Sequence, residues 1–459
     1  MSEYQVTNPA TGEVEATYPT ANEQDIQQAI KKADDAYQDW RQVSLSERSA
    51  LLHKIADIYI ERQDELADMI ATEMGKPVAQ GKGELGLVAE IYRYYANHAE
   101  QLLAPNQINV DEGSASVEKL PVGALLGIMP WNYPHYQVAR FVAPNVMAGN
   151  TIILKHAPQC PKTAEIIVDI LKDAGLPDGV YNNIFATNEQ AATIIQDSRI
   201  QGISLTGSER AGQAVAKEAG SALKKVVLEL GGSDPFIVAA DADIEKAVAD
   251  AITGRFGNTG QACNAAKRLI VVEAVYDKFV QGFTDAVRAM TLSDPLNEDT
   301  FIGPMSSKSA AVNLQKQLDG AVKDGATVLV EGGMLKDKPG AWFAPAVLTD
   351  VDDSMDVYRQ ELFGPVAVIY KARDVEHAIQ IANDVPFGLG ASVQTQDPAL
   401  AEDIASKLEV GMVTINAPSG TEANTPFGGV KRSGFGRELG TLGITEFLNY
   451  KLIRNKTSA

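Results

Sequence analysis

Short apolar runs alternate with helical stretches after about residue 120, and this alternation limits the possible folds more than any other feature of the chain. Six of the runs are predicted to be strands, at residues 123–129, 151–154, 202–205, 226–230, 269–272 and 367–370. Residues 208–220 lie between two of these strands and have the pattern of a helix. Strands that alternate with helices indicate parallel α/β sheets. Because the alternation resumes after residue 232, we predict two α/β domains.

The first hundred or so residues are predicted to be helical. In the second helix, apolar residues from Leu51 to Tyr59 recur at helical spacing. We predict that it ends near Met74, because Gly75 can adopt the left-handed capping conformation and Pro77 blocks continuation.

Two further segments, at residues 107–120 and 447–453, are predicted to be an inserted hairpin and a lone late strand. Such segments have exposed strand edges that favour a partner. Local sequence does not decide whether these segments form a ribbon that faces solvent or contact another subunit.

Composition excludes several classes of protein. The chain has 459 residues, 45% of them hydrophobic and 22% charged, which is typical of a soluble protein of two or three domains. No apolar run approaches the roughly 18 residues of a membrane span. The polar N-terminus has no pattern of a signal peptide. The two cysteines fit a reducing compartment, so we expect a cytoplasmic protein.

The net charge of -20 argues against nucleic acid or an anionic membrane as a partner, since both require concentrated Lys and Arg. An acidic protein that handles an anionic substrate must supply a local cation for it. The five histidines show no metal-ligand spacing, so no metal site is predicted.

Cys263 lies in the sequence FGNTGQACNAAKR, whose glycines, Asn and Thr predict a tight polar loop. A lone cysteine is usually a small buried hydrophobic residue. A thiol in such a loop can instead be reached by a ligand, and it reacts as the thiolate once its pKa falls.

Glu229 lies in the apolar run at residues 226–230, where burial would raise the pKa of its carboxyl group. It is either a residue on the wet face of an alternating strand or a base that takes a proton from water. The glycines at 231 and 232 allow a ligand to approach closely.

Two other polar segments follow predicted strands. Asn132, in the sequence MPWNYP, can donate a hydrogen bond to a developing oxyanion, although an Asn in this context is more often a turn residue. In SLTGSERAG a glycine turn precedes a helix, whose free N–H groups can bind a phosphate. Either feature alone is a weak signal.

Taken together, these segments resemble the aldehyde dehydrogenase superfamily from the N-terminal sequence NPATG to the C-terminal strand. Five motifs appear in the family's order: PWNxP at 130–134, LELGG at 228–232, GQxC at 260–263, ExFGP at 361–365 and PFGGxKxSGxG at 426–436. One such motif can arise by chance, whereas five in order are specific.

The resemblance implies the roles of the reacting residues. Cys263 matches the nucleophile, Glu229 the general base, and Asn132 with the Cys263 backbone N–H the oxyanion hole. It implies a thiolate attack on an aldehyde, hydride transfer to NAD or NADP, and hydrolysis of the resulting thioester by water that Glu229 activates. Lys155 and Glu361 match residues that bind ribose hydroxyls, Phe363 one that lies against the nicotinamide, and Ser208 one near the pyrophosphate. The remaining matches to cofactor-binding positions are Trp131, Ala157, Pro158, Gly207, Leu230 and Gly231.

The implied α/β fold has a Rossmann-like cofactor domain at residues 1–106 and 122–231 and an α/β catalytic domain at 232–431. A small β oligomerisation arm is implied at residues 107–121 and 438–457. The resemblance therefore also implies a homodimer or a homotetramer.

The sequences KHAP at 155–158 and GSDP at 232–235 depart from the commoner family patterns and resemble the branch of bacterial Sad-type succinate-semialdehyde dehydrogenases. That branch carries an Arg near the substrate, and Arg140 matches it. An Arg is suited to holding a carboxylate in a bidentate manner. An ordinary structural ion pair is the alternative for Arg140. Ser419 is a second candidate for the same carboxylate.

Two departures from the family bear on coenzyme and regulation. Strictly NAD-using relatives tend to carry a Glu where this chain has Pro158, so the preference between NAD and NADP is open. Some semialdehyde dehydrogenases carry a second Cys two residues after the nucleophile. Here that residue is Ala265, so no local disulfide switch is predicted.

The predicted function is oxidation of succinate semialdehyde, a small aldehyde with a distal carboxylate. Glutarate semialdehyde or lactaldehyde as substrate is the nearest alternative. A CoA-acylating dehydrogenase is disfavoured, because it needs no base such as Glu229. A non-enzymatic protein on this fold would be expected to lack Cys263, Glu229 or Asn132.

Overall fold

The computed structural model describes residues 4–457, so the first three residues of the predicted cofactor domain lie outside the described part of the chain. An antiparallel hairpin, which the sequence did not predict, precedes four helices. These elements are β1 (Tyr4–Thr7), β2 (Val14–Tyr18), α1 (Glu23–Trp40), α2 (Leu45–Glu61), α3 (Gln63–Met74) and α4 (Val78–Leu103).

The predicted helix end at Met74 is confirmed, and Gly75 has the expected left-handed backbone, with a φ of 79°. The predicted helix is wrong in one respect, because the chain forms two helices separated by Arg62. The backbone of Arg62 leaves helical geometry there, with φ −98° and ψ 14°.

The predicted hairpin and late strand are both present, as β3 (Asn106–Ile108), β4 (Ser114–Pro121) and, at the end of the chain, a strand over Leu448–Asn455. They pair with one another in a three-stranded antiparallel sheet, with the late strand along the whole of β4. Local patterns predict them only as separate segments, because nothing local indicates a pairing over such a separation, whereas the family resemblance groups them in one arm.

The first large sheet contains five parallel strands, in the order β9-β8-β5-β6-β7, and confirms the four strands predicted between residues 123 and 230. Its elements are β5 (Ala124–Ile128), α5 (Tyr136–Ala148), β6 (Thr151–Lys155), α6 (Pro161–Asp173), β7 (Tyr181–Asn183), α7 (Asn188–Gln196), β8 (Ile200–Thr206), α8 (Glu209–Ser221) and β9 (Lys225–Glu229). Parallel strands place their carboxyl ends at one edge of the sheet, where open α/β sheets bind ligands.

The second large sheet has seven strands, in the order β12-β15-β16-β11-β10-β18-β19, and all its pairings are parallel except that of β12. This part of the chain contains β10 (Asp234–Val238), α9 (Ile244–Phe256), β11 (Ala266–Val272), α10 (Glu273–Arg288), α11 (Lys308–Asp324), β12 (Thr327–Val330), β13 (Gly333–Met334), β14 (Phe343–Ala344), β15 (Ala346–Thr349), β16 (Val366–Ala372), α12 (Val375–Asn383), β17 (Phe387–Gly388), β18 (Gly390–Gln394), α13 (Pro398–Lys407) and β19 (Met412–Ile415). β13 and β14 form a small hairpin, and β17 pairs with the later strand at Val430–Lys431. Short 3-10 helices cover Gly257–Gly260 and Asp356–Arg359.

The C-terminal segment returns to the first sheet. It contains β20 (Val430–Lys431), β21 (Gly434–Phe435), α14 (Gly440–Gly443) and β22 (Leu448–Asn455). β21 adds an antiparallel edge to the first sheet, with Gly434 opposite Glu229. The chain passes from the carboxyl end of β9 to the amino end of β10 through residues 230–233 alone. This short crossing brings the ligand-binding edge of the first sheet next to the second sheet.

Candidate active site

A strained backbone presents Cys263. The helix α9 ends at Phe256 and runs into the 3-10 turn, where Asn258 and Thr259 have left-handed φ values of 52° and 55°. Non-glycine residues adopt this conformation at a cost, which points to a functional constraint on the loop. The tight polar loop predicted from the sequence is confirmed.

A cavity of about 410 Å³ opens over this loop, and Cys263 lines it. Cys263 is partly exposed, whereas Cys160 is buried, and both are free thiols. Other lining residues include Tyr133, Tyr136, Gln137, Ser419 and Phe427. The predicted substrate contact Ser419 therefore lies in the same cavity as the predicted nucleophile, and its hydroxyl accepts a hydrogen bond from Asn264 at 3.3 Å.

The electrostatic surroundings of Cys263 differ from the simplest expectation. Burial raises the pKa of its thiol to about 11, and the positive charges of Arg140 and Lys267 offset only part of this effect. The thiol of Cys263 is thus mostly protonated at neutral pH. The lowered thiol pKa that the sequence analysis sets as the condition for reactivity is not observed.

Asn132 is joined to the Cys263 loop by hydrogen bonds. Its side-chain amide donates to the carbonyl of Gln261 at 3.1 Å, and the side chain of Asn258 donates to the Asn132 carbonyl at 2.9 Å. An amide has two N–H groups, so one remains for a ligand. The structure therefore brings Asn132 to the loop that carries Cys263, and its role in an oxyanion hole stays a prediction.

Glu229 ends β9 and is 2% exposed, which excludes the wet-face interpretation. Neither carboxyl oxygen has a hydrogen-bond partner among the described residues. Burial raises the pKa of Glu229 well above its usual value, as the sequence predicted. The Glu229 side chain lies directly over Gly428, since a Cβ at Gly428 would come within 2.5 Å of Oε1. A neutral, unpartnered carboxyl group of this kind can accept a proton once it is ionised.

The short crossing between the sheets places Gly232 against the Cys263 loop. A Cβ at Gly232 would lie 2.9 Å from the carbonyl oxygen of Cys263, so the chain three residues after Glu229 contacts the backbone of Cys263. The absence of a side chain at Gly232 is what permits this approach.

The surroundings of Arg140 differ from the predicted direct contact with a substrate carboxylate. Its guanidinium is 1% exposed, forms an ion pair with Glu438, and donates to the hydroxyls of Tyr136 at 3.1 Å and Thr206 at 3.0 Å. It stacks behind Phe427, at 4.6 Å from the ring centre. Tyr136 and Phe427 line the cavity, so the cation lies one layer behind the wall and already has a carboxylate partner.

The predicted cofactor residues follow the carboxyl ends of the first sheet's strands. Lys155 ends β6 and lines a cavity of about 260 Å³ between the sheet and helices α7 and α8. Ser208 caps the 13-residue helix α8, accepting a hydrogen bond from the N–H of Ala211 at 3.3 Å. A Cβ at Gly207 would meet nothing within 4 Å, so the start of α8 is open. These features fit a dinucleotide, whose phosphates favour a helix N-terminus.

A second set of predicted cofactor residues lies nearby. Trp131, Ala157 and Pro158 line a cavity of about 720 Å³, and Phe363 meets the Trp131 ring edge-on at 5.7 Å. The structure brings these residues, which the resemblance assigned to the cofactor, into one region, and their role as cofactor contacts stays a prediction.

The other predicted cofactor residues lie at the crossing between the sheets. The Gly231 carbonyl accepts a hydrogen bond from the Ser433 hydroxyl at 2.7 Å, and Leu230 is buried against Gly212. Glu361 accepts from the Gly232 N–H at 3.2 Å and pairs with Lys267 at 3.1 Å. The protein itself therefore engages Glu361 through Oε1.

Two charged residues near Cys263 were missed by sequence reasoning. Lys267 is 1% exposed and donates to the carbonyls of Ala262 and Cys263, and Asp234 is buried at the start of β10. The local signals were a Lys and an Asp at the amino ends of two apolar strands, with Asp234 inside the GSDP sequence.

The described residues contain neither a group of acidic, His or Cys side chains suited to a metal nor a helix long and apolar enough to cross a membrane. Residues 1–453 match the model of the aldehyde dehydrogenase family. The chain belongs to this family.

The similar proteins include a succinate-semialdehyde dehydrogenase [NADP(+)] of Deinococcus radiodurans, 48% identical over 97% of this chain and 94% of the relative. A second is the succinate semialdehyde dehydrogenase [NAD(P)+] Sad of Escherichia coli, 43% identical over 97% of this chain and 96% of the relative.

A solved structure of succinic semialdehyde dehydrogenase from Streptococcus pyogenes, in complex with NADP+ as the cofactor, superimposes with a TM-score of 0.96. It is 38% identical and covers 98% of this chain and 99% of its own. The predicted family and its aldehyde dehydrogenase fold are thus confirmed.

Proposed function

We propose that this aldehyde dehydrogenase oxidises succinate semialdehyde to succinate with reduction of NAD or NADP. The observation that carries the proposal is the buried, unpartnered Glu229 at a crossing that contacts the Cys263 loop, beside a cavity that Cys263 lines. The names of the Deinococcus and Escherichia relatives support this substrate.

In the proposed reaction, the thiol of Cys263 releases its proton to solvent and its sulfur bonds the aldehyde carbon. The resulting oxyanion accepts hydrogen bonds from the free N–H of Asn132 and the Cys263 backbone N–H. The carbon of this adduct then loses a hydride, which a nicotinamide held beside Phe363 would accept, and a thioester remains on Cys263. Glu229, when ionised, takes a proton from water, and the resulting hydroxide bonds the thioester carbon. The C–S bond breaks, the acid leaves, and the proton held by Glu229 returns to the sulfur.

The proposed cofactor site joins two groups of residues. Lys155, Gly207 and Ser208 would hold the adenosine and phosphate part of the cofactor. Glu361 and Phe363 would hold the nicotinamide half. The residues between these two groups are Trp131, Ala157, Leu230 and Gly231. Pro158 carries no carboxylate to repel a 2′-phosphate, so we expect NADP to be accepted. The Streptococcus structure, with NADP+ as its cofactor, supports this expectation.

For the substrate's carboxylate we propose Ser419, in the cavity wall, and the positive charge of Arg140 behind it. Arg140 is first among the charges that lower the pKa of the Cys263 thiol, so its field reaches the cavity. Direct contact would require the Arg140 guanidinium to give up its hydrogen bond to Tyr136.

We also propose that the three-stranded sheet of β3, β4 and β22 is an oligomerisation arm of a homodimer or homotetramer. Tyr450, Leu452 and Ile453 on β22 are between 48% and 60% exposed, an apolar edge that favours a partner. The division at residues 231 and 232 into cofactor and catalytic domains, and a cytoplasmic location, belong to the same proposal.

The test compares initial rates of reduced-coenzyme formation with succinate semialdehyde and with butyraldehyde, an uncharged aldehyde of the same length, each with NAD and NADP. A large kcat/KM advantage for the acidic aldehyde is expected. Comparable rates on both would reject the substrate assignment and keep the dehydrogenase. Stimulation by CoA, with an acyl-CoA product, would replace hydrolysis by acyl transfer.

Arg140→Ala, with Ser419→Ala beside it, tests the carboxylate site. We expect KM for succinate semialdehyde to rise far more than KM for butyraldehyde, by about tenfold for each 1.4 kcal/mol of lost interaction. An equal loss on both aldehydes would assign Arg140 to the ion pair with Glu438 alone.

A further inference from the structure

We propose that Lys267 positions the Cys263 loop and supplies a fixed positive charge behind the thiol, which Asp234 opposes when it is ionised. This inference rests on the proposed role of Cys263 as the nucleophile. The two residues come from the amino ends of adjacent strands, β11 and β10, and neither takes part in the reaction described above.

Lys267 has a complete set of acceptors. Its Nζ donates to the carbonyl oxygens of Ala262 at 2.8 Å and Cys263 at 2.6 Å, and it pairs with Glu361 at 3.1 Å. An ammonium has three N–H donors and no acceptor, so three oxygens satisfy it fully. The buried Lys267 side chain is therefore held in one place as a cation.

These contacts orient the peptide that precedes the nucleophile. In a trans peptide the N–H and C=O point in opposite directions. Because Lys267 holds the Ala262 carbonyl, the N–H of Cys263 must point away from Lys267. That N–H forms no hydrogen bond within residues 4–457, so it stays available as an oxyanion donor. Lys267 thus fixes the direction of a donor that it does not itself contact.

Asp234 lies against the same loop from the other strand. A Cβ at Gly232 would lie 2.8 Å from Asp234 Oδ1 and 2.9 Å from the Cys263 carbonyl, so these two groups are neighbours. The Asp234 side chain is 2% exposed, and neither of its oxygens makes a well-formed hydrogen bond. Unlike Lys267, this carboxyl group has only the backbone N–H of Gly390 as a hydrogen-bonding neighbour.

The charges that act on the Cys263 thiol come from both sides. The charged and titratable groups that face it are Arg140 and Tyr136 from α5, Tyr133 from the preceding turn, Lys267 from β11, Asp234 from β10 and Glu361. Arg140 and Lys267 lower the thiol's pKa, whereas Asp234 and Glu361 raise it. Burial raises the pKa of Asp234 itself to about 8. Asp234 is therefore mostly neutral at pH 7 and opposes the thiolate only at higher pH.

The test measures the rate at which iodoacetamide alkylates Cys263 in the coenzyme-free enzyme as a function of pH. Peptide mass spectrometry separates Cys263 from the buried Cys160. In Lys267→Met we expect the rate profile to move to higher pH and the rate at pH 7 to fall about tenfold for each unit of raised thiol pKa. Lys267→Arg should largely restore it.

Asp234→Asn is the matched variant, and its expected effect on the alkylation rate is opposite to that of Lys267→Met. It should alkylate at nearly the wild-type rate below about pH 7 and faster above about pH 8, where wild-type Asp234 ionises. Melting temperatures of all variants control for folding. Slower alkylation of Lys267→Met at every pH with an unchanged profile, or no acceleration in Asp234→Asn, would overturn the inference.

Two other results would contradict the proposed function rather than this inference. If iodoacetamide modifies Cys263 without loss of turnover, or if Cys263→Ala remains active, then Cys263 is not the nucleophile. Should Lys267→Met fail to fold, the Lys267→Arg and Asp234→Asn profiles still decide the question.

Discussion

Glu84 and Glu229 are both buried glutamates near the Cys263 cavity, and the structure treats them in opposite ways. Glu84, on α4, pairs with Lys76 through Oε2, and its Oε1 accepts hydrogen bonds from the N–H groups of His135 at 2.9 Å and Tyr136 at 3.0 Å. Glu229 has no partner for either oxygen. A satisfied carboxylate holds structure, whereas an unsatisfied one is costly to fold and free to react.

The partners of Glu84 show what it holds. The N–H groups of His135 and Tyr136 open the helix α5, so a carboxylate there caps the helix and complements its dipole. Lys76 lies 3.6 Å from the ring centre of Tyr133, in the turn that also carries Asn132. The Glu84 pair therefore stabilises the segment that presents the predicted oxyanion donor, while Glu229 stays free for the proposed role of general base.

Glu229→Gln should break the reaction without harming the fold. We expect kcat to fall by roughly 10²–10⁴, the range for loss of a general base, with an undiminished first burst of reduced coenzyme. The amide is neutral, so the free energy of unfolding should stay unchanged or rise. Stopped-flow absorbance and thermal melting measure the two effects. Loss of the burst together with the steady rate would contradict hydrolysis as the step that Glu229 serves.

Glu84→Gln, unlike Glu229→Gln, should lower the stability of the protein. It leaves the ammonium of Lys76 buried without a counter-charge, so we expect a loss of about 3–5 kcal/mol in the free energy of unfolding. Glu90→Gln, on the exposed face of the same helix, is the control and should change little. Urea unfolding measures both. If the Glu84→Gln protein is as stable as the Glu90→Gln protein, then Glu84 does not stabilise the fold as proposed.

A double substitution sharpens the comparison further. Lys76→Met combined with Glu84→Gln removes both charges, so it should be less destabilising than the sum of the single changes by about 0.5–3 kcal/mol. The same unfolding measurements give this coupling energy. Strict additivity would mean that Lys76 and Glu84 act independently, against their direct ion pair.

Asp234, like Glu229, has a raised pKa, so its effect on stability has a defined sign. A carboxyl group whose pKa is raised from 3.8 in the unfolded chain to about 8 in the folded one costs no stability below about pH 4. The cost grows as pH rises toward 8 and is then constant. The melting temperature of Asp234→Asn minus that of the wild type should rise over this window. A difference independent of pH would show that Asp234 is not neutral in the folded enzyme.

Local patterns were sufficient for much of the fold. The strands β5, β6, β8 and β9 were predicted from apolar runs, and the end of α3 from Gly75, because these features depend on near neighbours. The hairpin of β1 and β2 and the pairing of β22 with β4 were not predicted, since strand pairing depends on segments far apart in the chain.

The sequence by itself determined the family, the alternation of strands with helices after about residue 120, and which residues were candidates for chemistry, because those follow from motif order and local spacing. Only the tertiary structure decided the surroundings of each candidate. It left Glu229 without hydrogen-bond partners, gave Arg140 a carboxylate partner, and placed Lys267 and Asp234 against the Cys263 loop. Burial and charge pairing are set by residues hundreds of positions apart, and a pKa follows from those contacts rather than from the residue's own segment.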